Sequence, residues 1–180
     1  MADHSENSLR AVIKSLRDIV GPAVDPADPL ATEQLTLSIA YLEFLRERLA
    51  HMHSRAMFEL EHHRRIAGSV LDIVGDTEIA AALRGSARAG EQAVRDAGGD
   101  TAALREATAA IAAALRTVLR ADVEPELRSE VERAVMAAIP ERVDFERSWY
   151  LPMGFDPAPH SARPLEEIMS TDRSLAPVTD

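Results

Sequence analysis

A chain of 180 residues with a formal net charge of −10 and no cysteine is long enough to bury a core of its own, and it has no means of forming disulfides, thiolate metal sites or thiol nucleophiles. Of its 20 basic residues only Lys14 is a lysine, and Arg46, Arg48, Arg55, Arg64 and Arg65 alternate with Glu43, Glu47, Glu59 and Glu61. Such a face reads as solvated and ion-paired, which excludes the basic footprint that duplex nucleic acid needs. The start Met1-Ala2-Asp3-His4-Ser5-Glu6 carries no basic and apolar leader, and no stretch reaches the ~18 apolar residues of a membrane span. The expectation is a cytoplasmic protein with neither a nucleic-acid nor a membrane partner.

The first predicted helix covers residues 8–20, with Ser5 or Asn7 as its cap and Leu9, Val12, Ile13, Leu16, Ile19 and Val20 as its apolar side. Gly21-Pro22 ends it. Asp25-Pro26-Ala27-Asp28-Pro29 makes a rigid turn, because each proline fixes its own φ and pushes the preceding residue out of the helical region. Asp28 then caps a long helix that has Pro29 in its first turn. With no proline or glycine between Pro29 and Gly68, this helix is expected to run through Gly68, a close packing point or bend, and on to Val74.

A further helix is predicted from Asp76 or Thr77 through Val94, and Ala97-Gly98-Gly99-Asp100 turns the chain into the next, capped by Asp100 or Thr101. That next helix, residues 101–121, has eight alanines among the 13 residues from Ala102 to Ala114, so another helix can approach it closely. The fifth helix begins at Glu124-Pro125, carries Leu127, Val131, Val135, Met136 and Ile139, and is expected to stop at Pro140. No run alternates like a strand. The fold class is all-α: a bundle of four to five helices, residues 1–140, with one long central helix. An extended aromatic and proline-rich C-terminal arm, residues 141–180, ends in a short amphipathic piece around Leu165-Glu166-Glu167-Ile168-Met169.

The long helix is apolar on two sides. Leu35, Ile39, Leu42, Leu45, Leu49, Ala56, Leu60 and Ala67 recur at helical spacing as a core stripe. On roughly the opposite side lie Leu37, Tyr41, Phe44, His51, Phe58 and His62, with Leu37, Phe44, His51 and Phe58 seven residues apart. A helix of this kind is either central in a bundle or shared with another chain. The arm holds Phe145, Trp149, Tyr150, Leu151, Met153 and Phe155, a set resembling the aromatic anchors of interfaces. Leu37, Tyr41, Phe44, His51, Phe58, His62, Trp149, Tyr150 and Phe155 are therefore the candidate interface; the arm either folds back on its own bundle or docks on another chain, and is expected to serve assembly more than bundle stability.

Chemistry-bearing patterns are sparse. Glu59 and His62, three residues apart on one helix face, form half of the ligand set of a carboxylate-bridged dinuclear site, with His51 as a further candidate and Glu91 or Glu106 as outside donors. Against this, Arg55 is placed to pair with Glu59, and Arg65 with Glu61, at i, i+4. His53 falls on the first stripe and is expected to be buried and hydrogen-bonded. Gly85-Ser86-Ala87-Arg88-Ala89-Gly90 lacks the lysine and the preceding strand of a phosphate loop and reads as close helix packing. No nucleophile elbow is present, and no cofactor is expected. The function expected is that of a non-catalytic interaction or accessory protein that forms a homodimer or docks on a partner enzyme. A metal-binding bundle, and a small-molecule-binding bundle with a pocket lined by Tyr41, Phe44, Met57 and Phe58, are the alternatives.

Overall fold

The structure is a computed structural model that describes residues 4–96 and 100–173, without the side chains of residues 170–173. The described residues form eight α-helices joined by short 3-10 and π-helical turns and contain no strand, so the all-α class is as expected. The chain packs as two units, one comprising residues up to His51 together with Tyr150–His160, the other Met52–Trp149 together with the chain from Ser161 onward.

The first unit is a helical hairpin. Helix α1, Ser5–Ser15, continues as a π-helical turn, Leu16–Val20, and a 3-10 turn, Gly21–Ala23. Asp28 accepts a hydrogen bond from the Ala31 amide at 3.0 Å, capping α2, Pro29–Arg48, as its sequence predicts. The two helices are antiparallel, since Arg17 pairs with Glu43 at 2.6 Å while the later residue Gly21 lies beside the earlier residue Leu35. Only Ile13 and Phe44 are buried apolar residues among those described in this unit. Val12, Ile19 and Val20, read from sequence as part of the core side of α1, are exposed, because a single neighbouring helix can cover only one narrow stripe. The Tyr150 ring stacks on Phe44 at 5.4 Å and begins a 3-10 turn, Leu151–Met153, closed by Gly154 at φ 77°, a conformation that disfavours other residues.

The predicted long helix is interrupted by one 3-10 turn, Leu49–His51, after which α3 runs over Met52–Val74. It is central in the second unit, packed against α4, Glu78–Asp96, α5, Thr101–Arg120, α6, Pro125–Ala137, and the short α8, Leu165–Arg173. Leu60, Ala67 and Val70 of α3, Leu83 of α4 and Leu104 and Ile111 of α5 are wholly buried. Ala56, Leu60 and Ala67 thus carry the α3 part of the first apolar stripe into the core as expected, whereas Leu45, assigned to the same stripe on α2, is 47% exposed. Asp100 caps α5 by accepting from the Ala102 and Ala103 amides. Gly90 is the close packing point: a Cβ there would lie 2.9 Å from Ile111 Cδ1 and 3.3 Å from Leu60 Cδ1. Gly68 and Gly85, also read as packing glycines, have no atom within 4 Å of a Cβ, so that reading is corrected.

The fifth predicted helix does end just before Pro140, since α6 stops at Ala137 with Ala138 as its C-cap; what is corrected is the extended arm expected beyond it. Helix α7 spans Ile139–Tyr150, with Pro140 in its first turn, where a missing N–H costs nothing and the fixed φ suits the helix. The expected arm therefore begins as a helix, and the boundary drawn at residue 140 falls inside the second unit.

Substitution tests separate the glycines. Gly85→Ala, in open space on an α-helix, should raise stability by about 0.5–1 kcal/mol, whereas Gly90→Val should lower it by about 1–3 kcal/mol through overpacking. Urea unfolding of the two variants against the parent measures both.

Candidate functional site

The second apolar stripe divides between the two units. On α3, Phe58 is 2% exposed and lies face to face with Phe145 of α7, ring centroids 4.0 Å apart at 11°. Phe145 in turn neighbours Trp149 at 5.9 Å, one helical turn on. The margin of this apolar contact is a closed ring of alternating charges. Arg55 meets Glu59 at 2.8 Å and Glu146 at 3.1 Å, and Arg142 meets Glu59 at 3.3 Å and also pairs with Glu146. The Arg55 guanidinium lies 4.5 Å from the Trp149 ring centre and 5.7 Å from that of Phe145, a desolvated cation–π geometry.

One turn toward the start of α7, Glu141 bridges two residues of α3. Arg65 donates to its Oε1 at 2.6 Å and His62 Nδ1 donates to its Oε2 at 2.8 Å. Burial pushes the His62 pKa below its ordinary 6.5, outweighing the upward pull of Glu141, with the neighbouring His63 and Arg65 charges adding to the lowering. For Glu141 burial acts upward, but hydrogen bonds from Arg65 and then His62, with their charges, more than reverse it and leave the carboxyl below 4.5. The arrangement at neutral pH is a neutral imidazole donating to a carboxylate.

These contacts revise several expectations. Phe58, His62 and Trp149 are buried within their own unit and do not form a free docking surface, because α7 folds back and supplies the missing side of α3. Phe44 is likewise 7% exposed, under Tyr150 and with the Arg48 guanidinium 5.7 Å from its ring centre. Leu37 and His51 are half-buried, while Tyr41, Tyr150 and Phe155 are exposed. The rings of Phe44 and Phe58 are each taken up by another aromatic ring, which does not favour the small-molecule pocket expected there. Glu59 is held by two arginines, and Glu61 by Arg64 at 2.6 Å rather than by Arg65; among the described residues no three histidine, aspartate or glutamate side chains come together in a metal-binding group. His53 is exposed, its Nδ1 3.3 Å from Thr101 Oγ1, not buried as its stripe implied. An apolar cavity of about 40 Å³ beside Val74, Val118, Leu127 and Val131 is far below the ~300 Å³ of ordinary ligand sites.

Several exposed apolar side chains lie on the hairpin. At about 100° per residue, Leu9, Ile13 and Leu16 of α1 and Leu35, Ile39 and Leu42 of α2 face each other, and Arg17 and Glu43 project together on one side of the pair. Val12, Ile19, Leu30, Tyr41 and Leu45 project on the other, with exposures of 48, 70, 65, 54 and 47%. Val12 and Ile19 were assigned to the core from their spacing. The signal that distinguishes them is the placement of charge, since Arg10, Lys14, Arg17 and Asp18 all avoid that side of α1, leaving Ser8 and Ser15 beside the two apolar residues.

Comparison with known proteins found no matching family model, no matching curated protein and no matching solved structure. Among the described residues no helix is long and apolar enough to cross a membrane.

Trp149→Ala should cost about 3–5 kcal/mol of stability, read from urea unfolding, because the ring is core to its unit; a loss below 1 kcal/mol would mean that the seam contributes little. Stability should also fall with acidification in two stages. His62, with its folded pKa below 6.5, is protonated more readily in the unfolded chain, so stability declines as pH drops from 6.5 toward the folded value. Glu141, held below 4.5, adds a second loss as pH falls through its folded pKa. Unfolding midpoints measured from pH 8 to 3.5 should show both stages, and His62→Gln should remove the upper one.

Proposed function

We propose that this chain is a non-catalytic interaction protein, an accessory or assembly subunit whose docking element is the α1–α2 hairpin. The reading rests on one observation: the five apolar side chains on one side of the hairpin, between 47 and 70% exposed, outnumber the two that the whole first unit buries. A cluster of exposed apolar side chains on one side of a helix pair marks an interaction surface in a protein that remains in solution. The second unit, by contrast, has a filled core and closes both sides of α3 with its own helices, so it has no comparable need of a partner. The absence of a catalytic reading is supported by the chemistry of the polar residues, since Glu59, Glu141 and Glu146 spend their oxygens on arginine and histidine neighbours within the fold. The cytoplasmic location expected from the sequence belongs to the same proposal.

Hydroxyl-radical footprinting of the full chain tests this reading. Tyr41, Leu45 and Ile19 should be strongly protected in concentrated or native-extract samples and become labelled at high dilution after purification, while Met136 and Val143, exposed on the second unit, should be labelled equally throughout. Equal labelling of the hairpin residues under every condition would overturn the proposal.

A further inference from the structure

We infer that the partner on this face is a second copy of the chain, the two α1–α2 hairpins meeting side to side as a four-helix bundle; the inference rests on the interaction reading above. Two packed helices have no interior, and the first unit accordingly buries only Ile13 and Phe44 as apolar side chains. Four helices packed as two antiparallel pairs enclose a core between them, and a second hairpin supplies the missing two.

The face is built to meet its own copy. Its large side chains, Val12, Ile19, Tyr41 and Leu45, are interspersed with Ser8, Ser15, Gln34 and Ser38, so that ridges on one hairpin have small residues to sit against on the other. At about 100° per residue, the helix charges Arg10, Lys14, Arg17, Asp18, Glu33 and Glu43 project elsewhere. Arg48, on the same side of α2 as Leu30, is 9% exposed and lies over the Phe44 ring, so in a chain of net charge −10 two copies can approach with the acidic side chains Asp18, Glu33 and Glu43 held away from the contact. A strongly charged partner would find nothing complementary there. The dimensions are those of a small interface: α2, 20 residues long, extends about 30 Å, α1 with its π-helical turn, 11 and 5 residues, at most about 24 Å, and each helix is roughly 10 Å wide. The resulting face of about 500 Å² in projection, enlarged by side-chain relief, approaches the ~800 Å² per partner of stable interfaces.

Sedimentation equilibrium of the purified full chain should give twice the 19.6 kDa chain mass. Ile19→Glu and Tyr41→Glu should each weaken dimerisation by roughly tenfold or more with far-ultraviolet helical signal retained, while Val143→Glu on the second unit leaves it unchanged. Because the chain has no cysteine, single replacements also report the contact without disturbing the apolar residues: within the set Ser8→Cys, Ser15→Cys and Ser38→Cys at least one should form an oxidised dimer rapidly, and Lys14→Cys and Glu43→Cys should not. A wild-type monomer whose Tyr41 is nevertheless protected in native extract would overturn the self-association while preserving the interaction reading. A monomer with Tyr41 labelled everywhere would overturn both, and a dimer insensitive to the hairpin substitutions and cross-linked by none of the three serine positions would place the contact elsewhere and also overturn the inference.

Discussion

The stacking of Phe58 on Phe145 is the contact on which the outer layer of the second unit depends. A helix that is apolar on two sides must have cover on both, and α3 obtains the second cover from aromatic residues spaced one turn apart on α7, Phe145 and Trp149. The charges follow from that apolar contact. Arg55, Glu59, Arg142 and Glu146 stand at its margin, where their stems are partly dehydrated, and each charge is offset by two of opposite sign. In a partly buried setting the attraction within such a ring has first to cover the cost of desolvation. Its more certain contribution is registry, because the ring closes only when Glu146 and Arg142 stand opposite Arg55 and Glu59.

Close backbone approach is the second constraint. Gly90 admits the ends of Ile111 and Leu60 to within a distance that a methyl group would obstruct, and the alanine-rich α5 brings few side chains that would hold its neighbours away. Interiors packed at this density respond to single methylenes, which makes the α3, α4 and α5 set a rigid body. The hairpin follows the opposite pattern. It has the Asp28 cap on α2 and intrahelical ion pairs, such as Arg10 with Glu6, though α1 starts after His4 without the side-chain cap expected from Ser5 or Asn7, and it has little to bury against itself. Local helix signals therefore define α1 and α2 more than packing within their own unit does, and helices of 11 and 20 residues gain most of their stability in proteins from burial of an apolar face. Structural incompleteness and exposed apolar surface are in this sense one property of the hairpin.

How much of this was legible in sequence depends on the range of the interaction. Asp28 and Asp100 were recognisable as caps because a cap concerns only the next few residues. Pro140 was read as a stop, although the sequence Pro140-Glu141 is equally a helix start; proline is compatible with both, and the side chains that decide for α7, Phe145 and Trp149, act only when Phe58 and Arg55 are opposite them. His62 and His53 illustrate the same point. Both sit on apolar stripes, yet His62 is buried against Glu141 and His53 is exposed beside Thr101, a difference set by which element crosses each stretch of the helix.

The sequence alone determined that the class is all-α, where most helices begin, and that residues 29–74 carry apolar side chains on two sides. Those properties arise from hydrogen bonds and side-chain periodicity within a few residues of each other. The tertiary structure alone decided that the two halves of the second stripe have different fates, the α3 half closed by α7 and the α2 half covered at Phe44 by Tyr150. It also decided that Val12, Ile19, Tyr41 and Leu45 of the hairpin stay exposed. Burial is a property of whatever segment arrives from far along the chain, and periodicity shows that a face needs cover without showing what will cover it.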